Sequence, residues 1–321
     1  MKPVIVTTSP VFGTVGEVPE FIAERGWELV RCIDNARPDG GLSDHLERMD
    51  FLVVGLLPAT GEQMRSAPRL KGVLKNGVGV DNIDIPAATA RKIPVLNTPG
   101  ANANAVAELA VGGMLSLARH LPMAHMDIRN KVWKREVGTE IAGKTLGVIG
   151  FGNIGKTLAL KAHALGMRVI AFDLYPDAAF AEANGVTMAD LDAVLREADY
   201  LSLHIFGGKE NERLIGQAQL ALMKPSAYLM NYARGEVLDL DALDRALREN
   251  ALAGAAIDAY VAEPPDFSHP IFDNPRVAFT PHSGADTRES GERVGMMVVR
   301  DIESLLKGER PSRILNAEIF S

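Results

Sequence analysis

Residues 145–155, Thr-Leu-Gly-Val-Ile-Gly150-Phe-Gly152-Asn-Ile-Gly155, leave few folds open to this chain. A short apolar strand runs into three glycines spaced G-x-G-x-x-G, and a helix-forming run follows. Each glycine answers a physical need. Gly150 allows a sharp turn, Gly152 lets the backbone approach a pyrophosphate, and Gly155 lets the helix pack on the strand. The phosphates then rest at the helix N-terminus, where free N–H groups and the dipole favour an anion. Such a pattern is weak evidence alone, but the next strand, Arg168–Asp173, ends in an acid 18 residues beyond Gly155. A carboxylate there can accept hydrogen bonds from the ribose hydroxyls of a dinucleotide. The alternative for Asp173 is a plain helix-capping residue in a loop. Leu174-Tyr175-Pro176 supply no cation for a 2′-phosphate, so NAD is expected over NADP.

Short β-branched runs alternate with helical stretches along most of the 321 residues, the pattern of parallel sheets covered by helices. Val4–Thr7, Phe51–Val54, Leu70–Leu74 and Val95–Asn97 read as strands of a first α/β unit, with a helix around Pro19–Arg25. Pro99-Gly100 punctuates its end. Residues 101–120 form one helix, apolar nearly all round and therefore expected to be covered on every side, within the chain or by a second subunit. A second series begins at Thr145–Gly150 and continues with strands at Arg168–Asp173, Tyr200–Ile205, Ala227–Asn231, Gly254–Asp258 and Val277–Thr280. Helices fit at 153–165, 191–198 and 239–249. The last helix, Thr287–Leu306, has no strand to follow, which directs it back to the first unit.

Composition narrows the function classes. A net charge of −7 without any basic run argues against nucleic acid, whose affinity rests on clustered Lys and Arg. The N-terminus lacks the core of a signal peptide. Residues 101–121 carry Glu108, Arg119 and His120, so no clean membrane span of about 20 residues is present. The single cysteine, Cys32, cannot form an intrachain disulfide. No metal site is assigned, and the expected location is cytoplasmic.

Three segments that follow strands carry groups suited to carbonyl reduction. Such chemistry needs a cation for a substrate carboxylate and an acid for the new alkoxide, while the cofactor supplies hydride. Asn231-Tyr-Ala-Arg234-Gly-Glu places a guanidinium at the carboxyl end of a strand, the edge where open parallel sheets bind ligands. A guanidinium can fork onto a carboxylate with two bonds. A surface arginine in a turn is the alternative. Gly254–Asp258 is followed by Ala-Tyr-Val-Ala-Glu263, and Val277-Ala-Phe-Thr-Pro-His282 by Ser-Gly-Ala. A lone histidine is more often structural. Paired with a carboxylate it becomes a general acid for reduction and a base for oxidation, because the anion favours the imidazolium. One sheet edge is expected to gather Arg234, Asp258, Glu263 and His282.

Taken together these segments resemble the D-isomer-specific 2-hydroxyacid dehydrogenase family over nearly the whole chain. The matching stretches are Asn76-Gly-Val-Gly-Val-Asp-Asn-Ile-Asp84, Asn97-Thr-Pro-Gly100, Val106-Ala-Glu-Leu109, the glycine turn, Asn231-Tyr-Ala-Arg-Gly235, Gly254–Asp258 and Thr280-Pro-His282. The resemblance implies an α/β protein of two domains. A smaller flavodoxin-like substrate domain spans 1–100 and 286–321, and a Rossmann NAD-binding domain spans 101–285. It implies hydride transfer between NAD(H) and C2 of a small D-2-hydroxy or 2-keto acid such as hydroxypyruvate, glyoxylate or 3-phosphoglycerate. By the same resemblance Arg234 binds the substrate carboxylate and polarises the keto oxygen. His282 is the acid–base group, held by Glu263. Val78 and Gly79 offer backbone N–H groups to the carboxylate from the other domain. Asn153, Ile154 and Asp173 bind the adenosine half of NAD, while Ala233, Asp258 and the turn through Gly284 and Ala285 surround the nicotinamide half. A homodimer built through the long helix and the arm around Trp133 is also implied.

The chain departs from the family in places. His204-Ile-Phe206-Gly-Gly lacks the proline often found two residues after that histidine. Val54-Gly-Leu-Leu-Pro58 lacks the arginine that phosphoglycerate dehydrogenases often place there, which weakens a phosphorylated substrate. The chain ends at Ser321 without the regulatory domain of longer members, although Trp133 and Gly138–Thr145 sit closer to the phosphoglycerate branch. Two other classes stay open. One is an NAD-sensing, corepressor-like interaction protein, against which the set Arg234, Glu263 and His282 speaks. The other is a Rossmann methyltransferase, which leaves that set unexplained.

Overall fold

The computed structural model describes residues 2–320 and divides into two compact units, Met1–Asn102 with Ala285–Ser321, and Ala103–Gly284. In the first unit β1 (Val4–Thr7), α1 (Val18–Glu24), β2 (Glu28–Arg31), β3 (Phe51–Val54), α2 (Gly61–Arg65), β4 (Gly72–Lys75), α3 (Ile85–Ala90) and β5 (Val95–Leu96) follow in order. All strands are parallel, in the order β2-β1-β3-β4-β5, the flavodoxin-like arrangement. Helices on both faces explain why β1 and β3 are apolar and buried at every position. Phe51 and Val53 pack with Val18 and Ile22 of α1, while Leu52 and Val54 pack on the opposite face with Met64 and Ala88.

Two expectations for this unit need correction. Strand β2 had no reading in the sequence: it is an edge strand whose charged ends, Glu28 and Arg31, leave only Leu29 and Val30 as an apolar signal. Strand β4 lies at 72–75 rather than 70–74, because its pairing with β3 starts at Phe51 opposite Gly72 and carries through to Lys75.

The second unit holds α4 (Ala103–Ala118), α5 (Leu121–Arg129), β6 (Thr145–Ile149), α6 (Asn153–Ala164), β7 (Arg168–Phe172), α7 (Ala178–Ala183), β8 (Thr187–Met188), α8 (Leu191–Glu197), β9 (Tyr200–Leu203), α9 (Gln217–Leu220), β10 (Tyr228–Asn231), α10 (Leu240–Arg248), β11 (Gly254–Ile257) and β12 (Val277–Phe279). Its sheet is parallel throughout, ordered β12-β11-β10-β9-β6-β7-β8. The strand order reverses beside β6, and that switch point is where a Rossmann fold opens its ligand crevice. Leu146, Val148 and Ala171 bury one face under α4 and α6; Ile149, Ile170 and Leu201 bury the other under α8 and α10. The last helix, α11 (Arg288–Leu306), belongs to the first unit and packs Val298, Val299 and Ile302 against Phe51 and Leu74.

Within the chain helix α4 leaves one stripe uncovered, and the expectation of cover by a second subunit applies to that stripe alone. Asn104, Glu108, Gly112 and Leu115 are exposed, a stripe set by the three- and four-residue spacing of a helix. Beside Gly112 and Leu115 that face holds Asn104 and a Glu108–Lys161 ion pair of 3.0 Å. Among the described residues no helix is long and apolar enough to cross a membrane.

Candidate active site

The glycine turn takes the shape that a dinucleotide requires. Gly150 has φ +95°, and a Cβ there would lie 2.6 Å from the backbone of His204. A Cβ at Gly155 would collide with the Gly150 carbonyl, so α6 can start this close to β6 only with glycine there. At Gly152 the direction of a Cβ is empty of protein, which leaves room for a ligand's backbone-hugging group. Gly152 is the N-cap of α6 and brings no side chain to the N–H groups of the first turn, where Asn153 and Ile154 lie. Those donors and that space suit a pyrophosphate.

Asp173, just past β7, is half-buried. Its Oδ2 accepts from the Phe151 N–H at 2.7 Å and its Oδ1 from the Tyr175 N–H at 2.8 Å. The carboxylate is thereby oriented beside the glycine turn, with lone pairs remaining on both oxygens for ribose hydroxyls. His204, after β9, bonds Ser202 Oγ through Nε2 at 2.8 Å. Burial pushes its imidazole down to about 3, so it is neutral. Phe206, in place of the family's proline, stands 69% exposed.

Arg234, Glu263 and His282 come together at the carboxyl edge of β10, β11 and β12. Asn231, the last residue of β10, staples the first turn: its Oδ1 accepts from the Ala233 N–H at 3.1 Å and its Nδ2 donates to the Arg234 carbonyl at 2.9 Å. The next residue, Gly235, packs so tightly on the Tyr260–Val261 backbone that a Cβ would not fit. This brings the arginine turn against the loop that carries Glu263. His282 Nδ1–H donates to both Glu263 oxygens, at 2.7 and 2.8 Å, and Glu263 Oε1 also accepts from the Tyr260 N–H at 3.2 Å. Burial raises the Glu263 carboxyl. The hydrogen bond and charge of His282, the Tyr260 N–H and the charge of Arg234 outweigh it and hold the group below its ordinary value. Glu263 is therefore an anion, and with Nδ1 engaged the ring presents Nε2 as its working nitrogen.

Asp258 fixes the histidine turn. It is buried, and its Oδ1 accepts from Thr280 Oγ1 at 2.6 Å and from the Ser283 N–H at 2.8 Å, while its Oδ2 accepts from the Gly284 N–H at 2.9 Å. His282 itself sits at φ +50°. Ala233 and Gly284 are buried beside these elements, and at Ala285 the chain re-enters the first unit. Sequence reasoning assigned no role to Asn231, Tyr260 or Thr280, although all three stood inside quoted segments; an Asn just before a turn is the available signal for the first.

In the first unit Val78 and Gly79 lie on the loop after β4. Thr98 donates to the Gly77 carbonyl through both N–H and Oγ1–H, each at 2.9 Å, and Asn97 Nδ2 donates to the Val78 carbonyl at 2.8 Å. The carbonyls are drawn inward. The N–H groups of Val78 and Gly79 find no acceptor among the described residues, so both are available to an anion. Also among the described residues, no three His, Cys, Asp or Glu side chains are placed to hold a metal ion.

Comparison with known proteins agrees with this geometry. The family model for "D-isomer specific 2-hydroxyacid dehydrogenase, NAD binding domain" matches residues 111–284. The glyoxylate reductase of Thermococcus litoralis is 36% identical, over 100% of this chain and 99% of its own. The D-3-phosphoglycerate dehydrogenase of Methanocaldococcus jannaschii is 39% identical over 86% of this chain but 53% of its own, so this chain spans about half the length of that relative. The crystal structure of D-lactate dehydrogenase from Aquifex aeolicus, complexed with NAD and lactic acid, superposes with a TM-score of 0.82 at 27% identity, covering 95% of this chain and 96% of that one.

Proposed function

The chain belongs to the D-isomer specific 2-hydroxyacid dehydrogenase family, and from that premise we propose that it is an oxidoreductase interconverting a small 2-keto acid and its D-2-hydroxy acid. The cofactor is NAD. When bound it supplies or takes the hydride at C2. The observation that carries the reading is the Glu263–His282 pair beside Arg234, on the carboxyl edge of the NAD-binding sheet.

In reduction, the Arg234 guanidinium holds the substrate carboxylate and draws electron density toward the keto oxygen. The Nε2–H of protonated His282 delivers its proton to the oxygen that becomes the hydroxyl. Glu263 stays anionic and compensates the imidazolium. In oxidation the same nitrogen accepts the proton. The N–H groups of Val78 and Gly79 are assigned to the carboxylate.

For the substrate, an unphosphorylated acid such as glyoxylate or hydroxypyruvate is preferred to 3-phosphoglycerate. The loop Val54–Pro58 contains no cation and exposes Leu56. A panel of 2-keto acids with NADH and NADPH tests this. NADH oxidation is expected with glyoxylate or hydroxypyruvate, and poor activity with NADPH because Asp173 repels a 2′-phosphate. Silence across the panel, or NADPH as the better donor, defeats the proposal. No observation favours the interaction-protein alternative.

A homodimer and a cytoplasmic location complete the proposal. Leu121, Met126 and Ile128 of α5, with Trp133 and Val137 after it, expose a run of apolar side chains, which marks a surface for association. Light scattering should give about twice the 34.5 kDa chain mass; a monomer at micromolar concentration refutes the dimer. The cytoplasmic location is proposed because a reaction drawing on NADH needs access to such a pool, and cell fractionation checks it.

A further inference from the structure

The loop that offers Val78 and Gly79 is fastened at both of its ends by two side chains that touch each other. Lys75 closes β4, and only 8% of it is exposed. Its Nζ donates to the Gly55 carbonyl at 2.7 Å and to Asn82 Oδ1 at 2.8 Å. Asn82, on the far side of the loop, donates its Nδ2 to the carbonyls of Gly55, Leu56 and Leu57 at 2.9, 3.0 and 2.7 Å. The Lys75 stem also passes beneath Gly77, where a Cβ would lie 3.8 Å from its Cε. Residues 76–81 thus form a loop whose two ends are tied to one another and to the turn after β3.

Burying an ammonium group is unfavourable unless acceptors surround it, and strand β4 does not require a lysine at its end. The placement gains sense from what lies between the two fastenings. Closing a loop at its ends removes conformational freedom from its middle, and a group that binds substrate must hold its position to about 0.5 Å. We propose that Lys75 and Asn82 form a latch that sets the position of the Val78 and Gly79 N–H groups. They are positioning residues for the carboxylate end of the substrate and do not touch it. The proposal rests on the assignment of those two N–H groups to the carboxylate.

Lys75→Met keeps the apolar stem and deletes the amine, and Asn82→Ala deletes the amide that holds the three carbonyls. Each variant is made in the full chain and assayed for the kcat and KM of the best keto acid. Binding of oxamate to the NADH complex is measured by calorimetry, and NADH affinity by fluorescence. A shift of about 1 Å in a positioned group can change binding or rate by roughly a hundredfold. The expected result is a rise of about ten- to a hundredfold in KM and in the oxamate Kd. Both kcat and NADH affinity should stay within about threefold, and Lys75→Arg should recover part of the loss. Unchanged KM and oxamate Kd in both variants overturn the latch. So does a parallel fall in NADH affinity, kcat and thermal stability, which marks a purely structural role. A wild type that reduces keto acids yet shows no oxamate binding overturns the carboxylate assignment beneath the proposal instead. Should the buried lysine prove necessary for folding, Thr98→Val removes one donor to the Gly77 carbonyl without touching a charge, and must raise KM in the same direction for the proposal to stand.

Discussion

Replacing His282 by alanine is expected to lower turnover by roughly a hundred- to ten-thousand-fold while leaving NADH affinity near that of the wild type. The imidazole is the only acid–base group that the Arg234–Glu263–His282 set offers to the keto oxygen, and it bonds Glu263 rather than any element of the glycine turn. Steady-state rates beside stopped-flow NADH binding separate the two effects. An alanine variant with near-normal turnover removes His282 from the mechanism. Glu263→Gln probes the same pair through pH. Glu263 is ionised, and an anion beside the ring compensates the imidazolium that the reaction uses. Reduction needs that protonated ring and fades as pH rises. Glutamine keeps an acceptor but loses the charge, so the alkaline limb should move to lower pH; oxidation, which needs the neutral ring, should then begin at lower pH. An unmoved profile separates Glu263 from the proton transfer.

Arg234→Ala should lower kcat/KM by about a thousandfold, because it removes both a charge-assisted fork to the carboxylate and a donor to the developing alkoxide. Unlike the histidine variant, this one raises KM as well as lowering kcat. Arg234→Lys restores a charge without the fork and should recover part of the KM and little of the rate. The guanidinium also acts on its neighbour, since its charge helps keep Glu263 ionised. A variant within threefold of the wild type in kcat/KM returns Arg234 to the status of a surface side chain.

What could be read from the sequence was what local chemistry dictates. The spacing from Gly150 to Asp173 carries its own physical necessity, and Arg234 and His282 stand directly after apolar strands, so their place on a sheet edge followed once those strands were recognised. Features that depend on which strand lies beside which were not legible. Strand β2 is short, charged and at the edge, and β8 has only two residues. Lys75 and Asn82 had no assigned role in the sequence, because the backbone carbonyls they hold belong to a turn 20 or more residues earlier, brought near by the pairing of β3 with β4. Helix α4 has one stripe, Asn104, Glu108, Gly112 and Leu115, that the chain itself leaves open, and composition alone could not say which side that was.

The left-handed backbone of His282 sets stability against usefulness at one position. A residue with a β-carbon held at φ +50° costs the fold on the order of 1 kcal/mol. The turn itself does not need the imidazole, because Asp258 grips it through the Ser283 and Gly284 N–H groups; the ring serves Glu263. Glycine would relieve the twist, and asparagine would tolerate it. On the proposed mechanism, it is the reaction that keeps the histidine there. In a lineage released from that requirement it would be among the first residues to drift, leaving a steadier turn and a stranded Glu263 as the trace of the lost chemistry.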